Sequence, residues 1–226
     1  MITFFILLLF FINEYYGICE ILPNESIKQQ HTQLLHGDLL FYVENMATAS
    51  DFSKSIVEST KKYDTKAINH VAIVCIENNE TYIIEATPQK GVWMCSLDTF
   101  INNAPKSNNI PLLLHGRIKG DVDIHKSMEN AKKRIGLKYD YLFSNTDDAF
   151  YCSELIQKSY VDSKGNLIFK PIKMSFHNEN GVILPYWIKY YAKYGMEVPD
   201  GEAGSNPSNL SKHERMTIYS FSPLQK

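Results

Sequence analysis

Two apolar, β-branched segments joined by a pair of asparagines constrain the fold of this chain more than any other feature. Residues 70–77 read His-Val-Ala-Ile-Val-Cys-Ile-Glu and residues 81–86 read Thr-Tyr-Ile-Ile-Glu-Ala, and each has the composition of a buried strand. Asn78 and Asn79 between them tolerate the backbone of a tight turn. The sequence therefore predicts an antiparallel hairpin, with His70 at its start and Glu85 near its end.

Other segments follow the periodicity of strands or of amphipathic helices. Strands are predicted at residues 37–43, 91–94, 112–118 and 216–221, and helices at residues 25–35, 50–63, 96–101, 121–135, 153–161 and 184–194. This layout predicts an α+β fold in which an antiparallel sheet packs against helices.

Chain length and charge limit the number of domains and the class of partner. A chain of 226 residues with 44% apolar residues can form one domain with a substantial core, which we assign to residues 20–226. The formal net charge of −2 gives no sign of a nucleic-acid-binding surface, so no nucleic-acid partner is expected.

The first 19 residues have the pattern of a secretory signal peptide. Ile2 to Ile12 form an almost unbroken apolar run, which is too short for a membrane span of roughly 20 residues. Gly17 and Cys19 place small residues where a signal peptidase would cut after Cys19. No Lys or Arg precedes the run, so an uncleaved anchor or a buried N-terminal strand stays open, and lipidation of Cys19 is the weaker alternative. A secreted or cell-envelope location, with no membrane span after cleavage, is expected.

Three cysteines follow the expected cleavage site, namely Cys75, Cys95 and Cys152. A disulfide between Cys75 and Cys95 would leave Cys152 as the free thiol. The alternative is that Cys75 is a small buried apolar residue within a strand. No CxxC pair or His/Cys ligand spacing occurs, so no metal site is expected.

Cys152 has the sequence context of a cysteine nucleophile. A polar loop at residues 144–148 precedes it, and the helical pattern begins directly after it. The amino end of a helix favours the ionised form of a thiol, and the backbone N–H of Cys152 could stabilise an oxyanion. Glu154 is interpreted as a charge in the first helical turn rather than a catalyst. The alternative for Cys152 is a buried, inert cysteine.

His70 and Glu85 are the candidate base and acid that would act with Cys152. A carboxylate within an apolar strand must be paired or lie at the edge of a cleft. The hairpin could bring Glu85 beside His70, which would fix the imidazole tautomer and leave the other ring nitrogen for Cys152. A structural histidine and an exposed edge carboxylate are the alternatives. Tyr151 could line the cleft, donate to an oxyanion or pack in the core, and Asp38 could support the cleft or cap a turn.

Five segments, taken in order along the chain, form a recognisable set. They are Gly37-Asp38-Leu39-Leu40-Phe41, His70-Val71-Ala72-Ile73-Val74, Tyr82-Ile83-Ile84-Glu85-Ala86, Gly136 with Tyr139-Asp140 and Phe143, and Tyr151-Cys152-Ser153-Glu154-Leu155. This set resembles the circularly permuted papain-like cysteine hydrolases of the YiiX/YaeF type, which are related to the NlpC peptidases. The histidine and the acid precede the cysteine, which is the permuted order. The resemblance covers roughly residues 36–195.

The resemblance implies a papain-like α+β fold that hydrolyses an amide or ester through an acyl-enzyme. By that resemblance Cys152 is the nucleophile, His70 the general base and Glu85 the orienting acid, while Tyr139 joins Tyr151 and Asp38 as substrate or oxyanion candidates. It implies no metal and no organic cofactor. We expect a peptide or another acyl-containing small substrate, with cell-wall peptides as one source. A lipid acyltransferase or thioesterase, and a non-catalytic binding module, are the alternatives.

Overall fold

The computed structural model describes residues 33–61 and 66–221. The predicted signal peptide and most of the predicted helix at residues 25–35 lie outside these ranges. The strands are β1 (Leu39–Val43), β2 (Ile68–Glu77), β3 (Glu80–Thr87), β4 (Gly91–Ser96), β5 (Lys106–Ser107), β6 (Ile110–Pro111), β7 (Leu113–Ile118), β8 (Lys138–Tyr139), β9 (Ala149–Phe150), β10 (Ile172–Lys173), β11 (Ala203–Gly204) and β12 (Met216–Phe221). The helices are α1 (Asp51–Thr60), α2 (Leu97–Asn103), α3 (Ile124–Lys132), α4 (Cys152–Ser159), α5 (Pro185–Ala192) and α6 (Pro207–Ser211).

A six-stranded antiparallel sheet forms the centre of the fold, in the order β12-β7-β1-β2-β3-β4. The predicted hairpin is its β2–β3 pair, in which Ile73 lies opposite Ile84. Asn78 and Asn79 join the two strands with φ values of 50° and 64°, in the left-handed region that suits a two-residue hairpin turn. The predicted α+β class with an antiparallel sheet is confirmed.

Side chains alternate between the two faces of this sheet and build a core on each. Ile73 and Ile84 belong to the core that also contains buried side chains of α4 and α5. Val74 and Ile83 belong to the core on the other face, with Phe100 of α2. Helix α4 contacts both β2 and β3, so the residue at its amino end lies near the hairpin.

Several elements differ from the prediction because they are short or because a side chain ends them early. The prediction did not include the two-residue ladders β5–β6, β8–β9 and β10–β11 or the helix α6, which are too short to show a period. The predicted helix at residues 121–135 begins later, since Asp123 caps it by accepting a hydrogen bond from the Lys126 N–H at 2.8 Å. Helix α4 begins at Cys152, one residue earlier than predicted.

The cysteines of the described residues are all free thiols. Cys75 and Cys95 are buried and unpaired, so the disulfide considered between them is not formed. Within the two described ranges, no helix has both the length and the apolar character required to cross a membrane.

Candidate active site

Cys152 is the first residue of α4, and Tyr151 before it is the N-cap in an extended conformation. The first N–H groups of a helix have no partner within the helix, so the amide of Cys152 is available at this end. The residue is 7% exposed. The helix therefore presents a nearly buried thiol together with a backbone N–H at its amino end.

The hairpin places His70 and Glu85 in direct contact. His70 Nε2 lies 2.6 Å from Glu85 Oε2, and the Glu85 side chain is 3% exposed. Cys152 lines the same cleft as these two residues and lies near enough to the imidazole to raise its pKa. Because Nε2 is used by Glu85, Nδ1 is the ring nitrogen left for the thiol. The structure thus brings together the three residues that the sequence indicated as nucleophile, base and acid.

Electrostatics in this group favour a protonated imidazole. Burial acts to lower the pKa of His70, but the nearby Cys152 and Glu85 side chains raise that pKa to about 10. An imidazolium is the partner that best supports a thiolate nucleophile. The arrangement can therefore hold a charged sulfur and a proton donor beside the same reacting carbonyl.

Two further residues, which the sequence analysis did not connect with the site, contact the base and the acid. The ring of Tyr42 lies against His70 with centroids 5.0 Å apart, and its hydroxyl donates to the Phe100 carbonyl at 2.7 Å. Cys95 Sγ lies 3.8 Å from Glu85 Oε1 and donates to it. Burial and the nearby Glu85 carboxylate raise the pKa of Cys95 to about 12, so Cys95 remains a thiol at neutral pH. The strand register could have indicated that Cys95 lies near Glu85. Cys95 pairs with Ile83, and residues 83 and 85 lie on the same face of β3 because side chains alternate along a strand.

The candidate triad opens into a cleft with a volume of about 630 Å³. One part of its wall is apolar and continuous, since the Trp187 ring lies 5.9 Å from Phe143, 6.1 Å from Phe52 and 5.3 Å from Phe176. We call Phe52, Ile56, Phe143, Phe176 and Trp187 the aromatic wall. A cleft of this size, with both apolar and polar lining, is typical of a small-molecule site.

A second part of the cleft lining is more polar than the aromatic wall, and we call it the rim. It comprises Thr87, Pro88, Gln89, Lys90 and Trp93. It joins β3 to β4, so it is continuous with the strand that carries the candidate acid.

The two candidate tyrosines have different surroundings. Tyr139 lines the cleft. Burial and the nearby Cys152 raise the pKa of Tyr139 well above its usual value, so it is a neutral donor. Tyr151 also lines the cleft, but its hydroxyl accepts the Ser205 N–H at 2.9 Å and donates to Met174 Sδ at 3.9 Å. We therefore favour Tyr139 as the oxyanion candidate and interpret Tyr151 as part of the cleft lining.

Asp38 lies in a buried ionic cluster and not in the lining of the cleft, which corrects its interpretation as a substrate or oxyanion contact. Its carboxylate lies 2.7 Å from His115 Nε2 and accepts Arg117 Nε at 2.8 Å and the Leu35 N–H at 2.7 Å. Burial acts to raise the pKa of Asp38, but the hydrogen bonds from Arg117 and His115 hold it below its usual value. Asp38 is therefore a structural anchor between the segment before β1 and strand β7.

Comparisons with known proteins agree with this geometry. The model of the family described as permuted papain-like amidase enzymes, YaeF/YiiX, C92 family, matches residues 33–218. The uncharacterized protein YiiX of Escherichia coli strain K12 is 24% identical over 181 residues, which are 80% of this chain and 83% of that protein.

A crystal structure of yiiX from Escherichia coli O157:H7, described as a metalloprotein, superposes with a TM-score of 0.66 at 22% identity. It covers 84% of this chain and 99% of that chain. The likeness shows a shared fold. In this chain, residues 33–61 and 66–221 contain no group of three or more His, Cys, Asp or Glu placed to hold a metal ion.

Proposed function

This chain belongs to the permuted papain-like amidase family, and on that premise we propose that it is a cysteine-dependent amidase that cleaves a peptide or related amide through an acyl-enzyme on Cys152. The observation that carries the proposal is the position of His70, which is paired with Glu85 at 2.6 Å in the same cleft as Cys152. Cell-wall peptides are one source of such amides. We also propose a secreted or cell-envelope location, on the basis of the apolar run at residues 2–12.

In the proposed first half-reaction, the Cys152 thiolate attacks the carbonyl carbon of the amide. The oxyanion that forms would accept hydrogen bonds from the Cys152 N–H and from the Tyr139 hydroxyl. The His70 imidazolium gives its proton to the leaving nitrogen, so the C–N bond breaks and a neutral amine departs. The acyl group then remains on sulfur as a thioester.

In the second half-reaction, a water molecule replaces the amine. Neutral His70 removes a proton from that water, and the resulting hydroxide attacks the thioester carbonyl. The C–S bond breaks, the carboxylic acid leaves and the thiolate–imidazolium pair is restored. Glu85 holds the ring through Nε2 in both halves, so Nδ1 stays directed at the reacting atoms.

The aromatic wall supports a second candidate function, that of a lipid acyltransferase or thioesterase. Its rings form a continuous apolar surface in the same cleft as Cys152, and such a surface suits a fatty acyl chain. The chemistry at sulfur would be the same, and only the acyl group would differ. A non-catalytic binding module is less well supported, because it has no need of the His70–Glu85 pairing beside a thiol.

The test compares the wild type with Cys152→Ala on short peptide amides and acyl esters. Cys75→Ala is the matched control, since it removes a buried thiol that does not line the cleft. We expect hydrolysis by the wild type and by Cys75→Ala, with a loss of at least about a thousandfold in Cys152→Ala. Equal rates in wild type and Cys152→Ala would reject the proposal. The mass added to intact protein during turnover identifies a peptidyl or a fatty acyl group.

A further inference from the structure

Lys90 brings to the cleft a positive charge that is held in no ion pair. It is the only lysine or arginine among the described residues of the lining, and Glu85 is the only carboxylate there. Glu85 is already paired with His70. Within residues 33–61 and 66–221, no carboxylate forms an ion pair with Lys90. The exposed Lys90 ammonium is therefore available to an anionic group of a bound molecule.

The rim holds Lys90 on a well-defined turn. The Lys90 N–H donates to the Thr87 carbonyl at 3.3 Å, and the Tyr141 hydroxyl donates to the Pro88 carbonyl at 2.7 Å. Gly91 follows with φ 67°, and a Cβ at that position would lie 2.2 Å from the Leu137 carbonyl oxygen. The turn is thus fixed from both sides, and the lysine projects from a rigid base.

Trp93 connects this lysine to the candidate triad. The Lys90 ammonium lies 5.9 Å from the centre of the Trp93 ring, an arrangement that favours a cation at this place. Trp93 is the cross-strand partner of Glu85. The buried indole Nε1–H of Trp93 has no acceptor among the described residues. The rim therefore contains a second hydrogen-bond donor, besides Lys90, that no described protein group uses.

We infer that the cleft selects substrates that carry an anionic group, a carboxylate or a phosphate, which Lys90 binds at the rim while the scissile carbonyl lies at Cys152. A lysine ammonium is a compact charge that suits either anion. This inference rests on the proposed function, because it names the substrate class of the same cleft.

The first test uses Cys152 itself as a probe of the local charge and needs no substrate. Cys152 thiolate displaces iodide from iodoacetate, which is anionic, and from iodoacetamide, which is neutral, and forms a thioether in each case. The ratio of the two alkylation rates, measured on the Cys152 peptide by mass spectrometry, is compared in wild type, Lys90→Gln and Lys90→Arg. Lys193→Gln is the control, because Lys193 is exposed and does not line the cleft.

We expect the iodoacetate-to-iodoacetamide ratio to fall about threefold to fivefold in Lys90→Gln, which is the effect of a unit charge on the order of 10 Å away in a partly screened cleft. The ratio should be restored in Lys90→Arg and unchanged in Lys193→Gln. The same ratio in wild type and Lys90→Gln would overturn the inference. If Cys152 reacts with both reagents no faster than a free thiol, the proposed function fails instead.

The second test separates the two sources of anion with three amides that share one acyl chain. These are N-decanoylglycine, N-decanoyl-phosphoethanolamine and the neutral N-decanoylglycinamide. Calorimetry measures the affinity of each amide for the Cys152→Ala variant and for the double variant that also carries Lys90→Gln. We expect at least one anion to bind about fivefold to tenfold more tightly than the neutral amide at low salt, and the preference to disappear in Lys90→Gln. Equal affinities for all three, or a preference that survives Lys90→Gln, would contradict the inference.

Discussion

Replacing Glu85 by Gln is the perturbation that tests the candidate site most directly. The substitution keeps the shape of the side chain and removes its charge, which lies 2.6 Å from His70 Nε2. The carboxamide oxygen can still accept the Nε2–H, so the ring should keep its orientation. What changes is the stability of the imidazolium relative to neutral imidazole.

The size of this change follows from Coulomb's law and the burial of the pair. Two unit charges about 4 Å apart interact by about 4 kcal/mol at an effective dielectric constant of about 20, which corresponds to about three pKa units. The hydrogen bond retained by Gln recovers part of this, so we expect a fall of about two units in the pKa of His70, from about 10. Near pH 9 the imidazolium fraction, and with it kcat/KM, should then fall about tenfold.

The assay is the pH profile of kcat/KM between pH 5 and pH 10.5 at constant ionic strength. The basic limb should move to lower pH in Glu85→Gln, while rates near pH 6.5 change much less, a pattern that simple misfolding does not produce. Glu77→Gln is the matched control, since Glu77 is ion-paired with Lys132 and does not line the cleft. A basic limb at the same pH in Glu85→Gln and wild type would refute the proposed role of Glu85.

Three further predictions concern stability and the oxyanion. Burial raises the pKa of Glu154 to about 7, although its ion pair with Lys158 acts to lower that pKa. The contribution of the neutral carboxyl to the free energy of unfolding is therefore fully present below about pH 4.5, and it is lost as the pH rises through about 7. Urea unfolding should therefore show Glu154→Gln about 2–3 kcal/mol more stable than wild type at pH 8, with no difference near pH 4.5; a constant difference would contradict this. Asp38→Ala leaves the Arg117 charge without its buried partner and should cost about 3–5 kcal/mol in the same experiment, whereas a cost below about 1 kcal/mol would reject the anchor role. Tyr139→Phe should lower kcat at least about tenfold with little change in KM, and an unchanged kcat would remove Tyr139 from the oxyanion site.

Local signals in the sequence predicted much of this fold. The β2–β3 hairpin follows from two β-branched segments and an Asn-Asn turn. Each of these signals can be recognised from residues that are adjacent in the sequence. The approach of Glu85 to His70 follows from the same hairpin, because alternation places both on one face of the sheet. The start of helix α4 could be placed within one residue for a similar reason, while its end lies two residues before the predicted one.

The residues whose surroundings the sequence did not predict are those with partners in distant segments. Asp38 looked available to a cleft, but Arg117, 79 residues later, neutralises it. Tyr151 lines the cleft as one of its interpretations had it, and its hydroxyl accepts the Ser205 N–H, 54 residues later, and donates to Met174 Sδ, 23 residues later. No periodicity or cap marks such pairings, which arise only when separate elements pack.

The contacts of β7 bear on how freely the chain order of this fold can change. Arg117 of β7 donates to the Gln33 carbonyl at the first described residue, and the same arginine pairs across the sheet with Thr217 of β12, the last described strand. The polypeptide thus enters and leaves the described domain beside one strand, which three strands separate from β4 in the sheet order. A linker could join these two places, and new chain termini could be made just before α4. Cys152 would then precede His70 in the sequence. The three-dimensional arrangement of these residues is thus compatible with either order along the chain.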